Sequence, residues 1–275
     1  MAFNCLAATA VYKCSKLLAE ANNLTAVDFG NQRYHAGEPI IKQIMKEKNF
    51  QLPLPDDHKW RKAFHTSDFF ELLGFQRYLA IDLNTEFGSI IMDLNYICKD
   101  KYNFTDEFDL VINNGTGEHI FDQMSVFQNM HNMAKVGGLI LNVLPLMPCL
   151  NHGFYNYNPV LFRDLAIANG YEWGFFWTGH SRGSKYEYDP LSNDVWEQAR
   201  GKKNPFDPPY NVLEKNVYKG LKEGHVYVVS CYKKTSQKEF VKPLQGRWIA
   251  SIDKNEAPDI AESYQQPDTR KISNS

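Results

Sequence analysis

Apolar runs rich in Val, Ile and Leu alternate with helical patterns along most of this chain, and that alternation is its strongest constraint on fold. Seven runs predict strands: LTAVDFG, RYLAIDLN, GSIIMDLN, FDLVINN, LILNVLPL, WGFFWTG and HVYVVSCYKK. Such runs indicate strands buried on both faces, which requires a mostly parallel sheet covered by helices. Right-handed crossovers make this α/β sheet doubly wound, with its ligand crevice at the carboxyl ends of the strands.

Apolar residues at helical spacing predict the helices that connect these strands. The predicted helices span 6–18, 40–45, 68–74, 121–134 and 159–169. Ser67 is the expected N-cap of the third helix, because a hydroxyl there can accept from the first free N–H groups. The Gly137–Gly138 pair is expected to end the fourth helix and Gly170 the fifth, since glycine tolerates the left-handed C-terminal position.

The length of the chain predicts one domain with insertions. A chain of 275 residues can bury one full core but is short for two. We expect the domain to span 1–234, with insertions at about 36–66 and 180–224. The polar segment 235–275 is expected to be a flexible tail.

Composition argues against several functional classes. The formal net charge is -2 and the basic residues are scattered, which disfavours a nucleic-acid partner. Five dispersed cysteines without a Cys-x-x-Cys pair indicate a reducing cytoplasm and predict no metal centre. No apolar run approaches the roughly 20 residues that span a membrane, so no membrane association is expected. The sequence does not indicate an oligomeric state.

Three acidic residues follow three consecutive strand candidates. Asp28 lies in AVDFG, Asp82 in AIDLN and Asp93 in IMDLN. A carboxylate at such a strand end can accept hydrogen bonds from ribose hydroxyls or an adenine amino group. Gly30 permits a tight turn and a close approach of the backbone to a ligand. A single strand-terminal Asp is often only a helix cap, but three in order on adjacent strands favour a ligand site.

Two longer segments resemble the class I S-adenosylmethionine-dependent methyltransferases. They are FDLVINNGTGEHIFDQMSVFQNMHNMAKVGGLILNV and HGFYNYNPVLFRDLAIANGYEW. The match in order extends from about Thr25 to Lys234. The resemblance implies a Rossmann-like, seven-stranded sheet with an antiparallel last strand, and S-adenosyl-L-methionine as the cofactor.

The resemblance also assigns cofactor-binding residues by position. These are Asp28, Phe29, Gly30, Asn31 and Gln32 at the methionine moiety, Asp82 at the ribose, Asp93 and Leu94 at the adenine, and Asn113 and Asn114 under the sulfonium. Two features depart from the family pattern. The loop after the first strand usually carries a second or third glycine, but here Gly30 is followed by Asn31 and Gln32, and Asp82 follows Asp28 by 54 residues (82 minus 28) instead of about 20.

The glycine pattern also separates two cofactor classes. A nicotinamide dehydrogenase would use the same sheet but would need G-x-G-x-x-G to hold phosphates, and GNQRYH lacks it. S-adenosylmethionine carries no phosphate, so its site tolerates the absence of those glycines. This difference favours methyl transfer.

Two histidines are the candidate catalytic bases. His119 follows the fourth strand, and His152 precedes an aromatic run. Either imidazole could take a proton from an oxygen acceptor. The alternatives are that His119 caps the next helix and that His152 anchors its loop. Glu118 is expected to orient a neighbour rather than to act as the base.

Other conspicuous residues allow two interpretations. Phe154, Tyr155 and Tyr157 could line the acceptor site or close the edge of the core. The Asp207–Tyr210 stretch imitates the Asp-Pro-Pro-Tyr motif of amino-methylating enzymes, but it lies far beyond the fourth strand. We interpret it as a proline turn.

The preferred function is therefore methyl transfer, with oxygen of a small molecule or saccharide as the acceptor. This acceptor class rests on analogy alone. One alternative is a non-catalytic relative that keeps the fold for binding or as a scaffold. Another is a macromolecular acceptor that docks on the insertion at 180–224.

Overall fold

The computed structural model describes most of the predicted domain. The described residues are 3–36, 38–47, 64–147, 149–182, 188–190, 224–245, 252–256 and 258–263. Most of both predicted insertions lies outside these ranges. The Asp207–Tyr210 stretch also lies outside the described residues.

One mixed sheet forms the centre of the molecule. Its strands are β1 (Leu24–Phe29), β2 (Phe75–Asp82), β3 (Ile90–Ile91), β4 (Phe108–Asn114), β5 (Ala134–Met147), β6 (Glu172–Arg182), β7 (Tyr188–Pro190) and β8 (Gly224–Lys233). They lie in the order β3-β2-β1-β4-β5-β8-β6-β7. β1 to β5 pair in parallel, and β8 is antiparallel to both β5 and β6. The predicted sheet with its antiparallel last strand is confirmed, and the short β7 extends it.

Helices cover both faces of the sheet. They are α1 (Cys5–Leu17), α2 (Glu38–Glu47), α3 (Thr66–Leu73), α4 (Cys98–Tyr102), α5 (Gln123–Met133), α6 (Pro159–Asn169) and α7 (Pro258–Ser263). α1, α2 and α3 bury their apolar side chains on one face of the sheet, and α4, α5 and α6 bury theirs on the other. Neighbouring strand residues alternate accordingly, with Ala26 in the first core and Val27 in the second.

Local hydrogen bonds set two boundaries that differ from the sequence prediction. α3 has His65 as its N-cap instead of Ser67, because the Asp68 carboxylate accepts the His65 N–H at 2.7 Å. β5 begins at Ala134, so the Gly137–Gly138 pair lies within the strand and does not end α5 as predicted. α6 begins and ends where predicted, with Gly170 in the left-handed region at its C-terminus.

Residues 235–245 lie against the body of the domain. The Thr235 hydroxyl donates to the Gly170 carbonyl at 2.6 Å. The Asn169 side chain exchanges two hydrogen bonds with the Val241 backbone, at 2.8 and 3.0 Å. Phe240 packs on the second core. The domain boundary at 234 stays a prediction. Because residues beyond it contact the body, a truncation at this point is a useful test.

None of the helices in the described ranges combines the length and the apolar character that a membrane crossing requires.

Candidate active site

The loop after β1 turns at Gly30. The backbone there has a φ of 96°, and the Gly30 N–H donates to the Ile81 carbonyl at 2.7 Å. A β-carbon at this position would collide with the Thr116 hydroxyl, which itself donates to the Phe29 carbonyl. Glycine is therefore required by both the dihedral angle and the space. The turn places Gly30 where the loops after β1 and β4 meet.

Asn31 ties this loop to the end of β2. Its N–H donates to Asp82 Oδ2 at 2.9 Å, and its amide donates to Asn84 Oδ1 at 2.6 Å. Asp82 Oδ1 accepts from the Leu83 N–H at 2.6 Å and from the Asn84 amide at 3.1 Å. The long separation in sequence therefore does not displace Asp82 from the β1 loop. A carboxylate has about four acceptor positions, so these three bonds leave Asp82 about one for a ribose hydroxyl.

Asp93 follows β3 and forms a local turn. Its Oδ1 accepts from the N–H and from the amide of Asn95, both at 2.9 Å. The Asn95 N–H is the main reason that the pKa of Asp93 is lowered. Leu94 is buried, and its carbonyl accepts from the Ser125 hydroxyl at 2.5 Å. Asp93 is therefore an ionised acceptor held beside an apolar side chain.

Two fully buried asparagines end β4. Asn113 Oδ1 accepts the Gly117 N–H at 2.8 Å. The Asn114 amide donates to Gln32 Oε1 at 2.5 Å, and the Gln32 amide donates back to the Asn114 carbonyl. Asn113 Nδ2 and Asn114 Oδ1 have no hydrogen-bond partner among the described residues. A polar ligand at this end of β4 would satisfy them.

Asp28 and Phe29 lie in the last part of β1 with fully buried side chains. Asp28 Oδ2 accepts from the Tyr78 hydroxyl at 3.3 Å, and burial raises the pKa of Asp28 well above its usual value. The Asp28 side chain thus belongs to the interior of the sheet rather than to the loop that follows. Its role as a direct cofactor ligand stays a prediction.

Glu118, His119 and His152 converge beyond the carboxyl ends of β4 and β5. Glu118 and His119 belong to a single 3-10 turn at Gly117–His119, and His152 lies in the loop after β5. Glu118 Oε1 is 3.7 Å from His152 Nε2 and 4.0 Å from His119 Nε2. The two imidazole rings meet edge to face with centroids 4.9 Å apart. The structure therefore brings both predicted bases together over one carboxylate.

Burial controls protonation within this cluster. It raises the pKa of Glu118 to about 7. It lowers the pKa of both His119 and His152, and the proximity of His152 lowers the pKa of His119 further. Both imidazoles are therefore neutral at pH 7, and neutral imidazole is the form that accepts a proton.

The aromatic run after His152 divides between core and surface. Tyr157 is buried, and its hydroxyl donates to Gln123 Oε1 at 2.7 Å. Phe154 is 68% exposed and meets Phe121, which is 73% exposed, with ring centroids 6.1 Å apart. Tyr155 is half-buried, and its hydroxyl donates to the Phe121 carbonyl at 2.9 Å. Tyr157 is thus a core residue, while Phe121 and Phe154 form an exposed apolar pair beside the histidines.

Two positioning residues were missed in the sequence. Thr116 joins the loops after β1 and β4, as described above. Asn95 Oδ1 accepts the N–H groups of Phe121 and Asp122, both at 3.1 Å, and so joins the loop after β3 to the start of α5. The only local signal is that Asn95 follows a strand-terminal Asp by two positions, a spacing typical of a side-chain turn.

No family model and no curated protein matches the chain. Solved structures that resemble it include TehB from Haemophilus influenzae, with 11% identity and a TM-score of 0.44, covering 82% of this chain and 61% of TehB. The 1,6-didemethyltoxoflavin-N1-methyltransferase of Burkholderia thailandensis has 12% identity and a TM-score of 0.44, covering 84% of this chain and 79% of its own. The geranyl diphosphate C-methyltransferase of Streptomyces coelicolor has 13% identity and a TM-score of 0.42, covering 82% and 78%.

The strand order of the chain itself defines its fold. Parallel strands β3-β2-β1-β4-β5 continue into β8 and β6, and β8 is antiparallel between its neighbours. The carboxyl ends of β1, β2 and β4 meet at the Gly30 loop, which is the crevice expected of a doubly wound sheet. The chain therefore has a Rossmann-like, doubly wound fold with the antiparallel strand that the sequence resemblance predicted.

Proposed function

We propose that the chain is an S-adenosylmethionine-dependent methyltransferase that acts on an oxygen of a small molecule or saccharide. One observation carries the proposal: the Gly30 loop and Asp82 share one end of the sheet with two neutral imidazoles over a buried carboxylate. The first part can hold a nucleoside, and the second can accept a proton. The toxoflavin and geranyl diphosphate methyltransferase structures were both determined with S-adenosylhomocysteine.

The residues present fit a cofactor without phosphates. Gln32 stands where a G-x-G-x-x-G loop beginning at Gly30 would have its second glycine, which lets the backbone approach a pyrophosphate, and its side chain instead bonds to Asn114. Asp82 keeps about one acceptor position for ribose, and Asn113 and Asn114, at the end of β4, each hold a buried atom that has no partner among the described residues. When bound, S-adenosylmethionine supplies an electrophilic methyl group on a sulfonium.

The contribution of the chain is alignment and removal of a proton. Displacement at a sulfonium needs the acceptor atom held in line, and the exposed Phe121–Phe154 pair offers an apolar wall for that purpose. His152 is the proposed base, because its neutral imidazole can accept the hydroxyl proton. Glu118, 3.7 Å away, would favour the imidazolium that forms.

Calorimetric titration with S-adenosylhomocysteine tests the cofactor. We expect the wild-type protein to bind with a Kd near micromolar. Asp82→Ala should weaken binding by about 10- to 100-fold, because a charge-assisted hydrogen bond to ribose is lost. The matched control is Asp100→Ala, which removes an exposed acid from α4. Equal affinity of a folded Asp82→Ala protein and the wild type would remove Asp82 from the site.

The base is tested by turnover with a panel of hydroxylated small molecules and saccharides, measured as release of S-adenosylhomocysteine. His152→Ala should lower turnover by about 10²- to 10⁴-fold and leave cofactor affinity unchanged. His119→Ala should lower both, because His119 adjoins the strand expected beneath the sulfonium. Retained turnover in His152→Ala across pH 6–9 would make His152 a loop anchor only.

A second candidate function is a non-catalytic binding or scaffold role for the same fold. The observation that favours it is the filled β1 loop, where Asn31 already bonds to Asp82 and Asn84, and Gln32 already bonds to Asn114. Absence of S-adenosylhomocysteine binding at millimolar concentration would support this candidate and exclude the enzyme.

A further inference from the structure

Glu118, His119 and His152 present three ligand atoms to one point. One carboxylate oxygen and one ring nitrogen of each histidine lie within 4.8 Å of one another. Ligands about 2.1 Å from a tetrahedral metal ion stand about 3.4 Å apart. The two oxygen-to-nitrogen distances, 3.7 and 4.0 Å, exceed that value by about half an ångström. Small rotations of the two partly exposed histidines can close such a gap.

The state of Glu118 is an independent indication of a ligand. Its side chain is fully buried, and neither carboxylate oxygen has a hydrogen-bond partner within the described ranges. Buried carboxylates are normally hydrogen-bonded, paired with a cation or bound to a metal, because desolvation of an unpaired charge is costly. The only ion-pair partners within 4.0 Å that the described residues provide are the two histidines.

The two loops that carry these residues hold each other in place. The Phe154 N–H donates to the Glu118 carbonyl at 2.7 Å. A β-carbon at Gly153 would lie 2.7 Å from Glu118 Cγ, so the loop after β5 packs directly on the Glu118 side chain. Gln123 Nε2 donates to the Gly117 carbonyl at 2.8 Å from the first turn of α5. The three ligands are thus positioned by backbone contacts before any ion binds.

The ligand set identifies the class of ion. Two imidazoles and one carboxylate suit Zn²⁺, Co²⁺ and Fe²⁺, whereas Mg²⁺ and Ca²⁺ prefer oxygen ligands alone. Three protein ligands leave positions open for water or substrate, as in catalytic sites. We propose that Glu118, His119 and His152 form a binding site for one divalent transition metal ion of the Zn²⁺ type.

This inference goes beyond the proposed methyl transfer and does not depend on it. The absence of a metal centre was predicted from the cysteine pattern alone, and none of these three ligands is a cysteine. The ligands also come from two loops that are distant in sequence. A metal bound through Nε2 of His152 would prevent that nitrogen from accepting a proton. Nε2 of His152 can therefore either bind the metal or act as the base, but not both at once. Titration with metal shows which of the two applies and needs no activity assay.

The test uses full-length protein treated with EDTA and then dialysed. Calorimetric titration with Zn²⁺ should show one ion per chain, and Co²⁺ should give visible absorption bands of a low-coordinate site. Glu118→Gln and His152→Ala should each weaken Zn²⁺ binding by about 100-fold or more, since each removes a direct ligand. His65→Ala, which removes an exposed histidine at the start of α3, should bind Zn²⁺ like the wild type.

Two results would overturn the site. One is wild-type Zn²⁺ affinity no greater than that of His152→Ala, and the other is binding that persists in both ligand variants. If Glu118→Gln fails to fold, His152→Ala still decides, because its side chain is partly exposed. Parallel titration with S-adenosylhomocysteine keeps the failures distinct: loss of the metal site with intact cofactor binding overturns this inference alone.

Discussion

Lys234 and Glu118 are buried charged side chains at opposite ends of β5, and their surroundings differ. Lys234 lies beside the start of the strand, where Nζ donates to the carbonyls of His131 and Ala134 at 2.8 and 2.9 Å. Glu118 lies beyond the end of the strand, and the described residues provide no hydrogen bond to its carboxylate. Interior charges are stable only when such bonds exist. The hydrogen bonds of Lys234 therefore stabilise the fold, whereas the carboxylate of Glu118 can still bind a ligand.

The histidines near these two charges show the same contrast. Both ring nitrogens of His131 are engaged, by the Tyr171 hydroxyl at 2.6 Å and the Lys238 carbonyl at 2.7 Å. At the other end, Glu118 Oε1 lies 4.0 Å from His119 Nε2 and 3.7 Å from His152 Nε2. Both distances exceed the length of a hydrogen bond. Saturated polar groups stabilise a structure, whereas partly exposed groups with spare bonding capacity can bind ligands.

The largest change in stability should come from removing residues 235–245, which pack against the body of the domain next to Lys234. Truncation after Lys234 deletes the four hydrogen bonds to the body made by Thr235, Lys238 and Val241, an exposed one from Gln237 to Glu107, and the packing of Phe240. At about 1 kcal/mol per bond, the free energy of unfolding should fall by about 4 kcal/mol in urea denaturation.

Truncation after Gln245 is the matched control. It keeps those four bonds and should change the free energy of unfolding by less than about 1 kcal/mol. If both truncations have the same small effect, the boundary at 234 predicted from composition is right and the segment 235–245 contributes nothing.

The next effect concerns the Lys234 ammonium itself. Lys234→Met keeps an apolar stem but leaves the carbonyls of His131 and Ala134 without their donor, which should cost about 3 kcal/mol in urea denaturation. Lys233→Met, at the exposed neighbouring position, should change stability by less than about 0.5 kcal/mol. Equal stability of the two variants would show that the ammonium is dispensable and would remove one side of the comparison.

The pH dependence of stability should report His131. Burial lowers the pKa of His131 to about 4, below its unfolded value. Between these two values the unfolded chain binds more protons, so stability is complete above about pH 6.5 and falls as the pH drops toward 4. The contribution should be about 2 to 3 kcal/mol. Urea denaturation at pH 7 and pH 5 measures how the free energy of unfolding changes with pH. This change should be smaller in His131→Gln. An unchanged pH dependence in that variant would show that other groups cause it.

Sequence predicted the fold where the signals are local. The bounds of α6 were predicted correctly, because the residues that begin and end it, Asn158, Pro159 and Gly170, lie within or next to the helix itself. The start of β5 was predicted less well, because pairing with β4 extends the strand back to Ala134 through the Gly137–Gly138 pair. Pairing of this kind depends on residues distant in sequence.

The candidate site shows the same limit more strongly. Strand-terminal Asp82 could be located from a pattern, and the structure places it beside the Gly30 loop. The hydrogen bond that it accepts from the Asn31 N–H could not be predicted, since that bond joins the separate loops after β1 and β2. The burial of Glu118 beneath two histidines likewise depends on the packing of Gly153, which no periodicity in the sequence reveals.

The smallest effect, and the one opposite in sign, should come from Glu118→Gln in protein freed of metal with EDTA. The amide has nearly the shape of the carboxylate but no charge, so the variant avoids burying an unpaired ion. At pH 8 the free energy of unfolding should therefore rise by about 1 kcal/mol, where most substitutions of buried residues lower it. Zn²⁺ should reverse the order, because an ion that binds only the folded wild type stabilises it by mass action. Asn142→Asp is the reciprocal control: it places a carboxylate at a fully buried position in β5 and should destabilise the protein with or without Zn²⁺. A Glu118→Gln protein less stable than the wild type in EDTA would mean that the carboxylate already has a stabilising partner, and the contrast with Lys234 would then disappear.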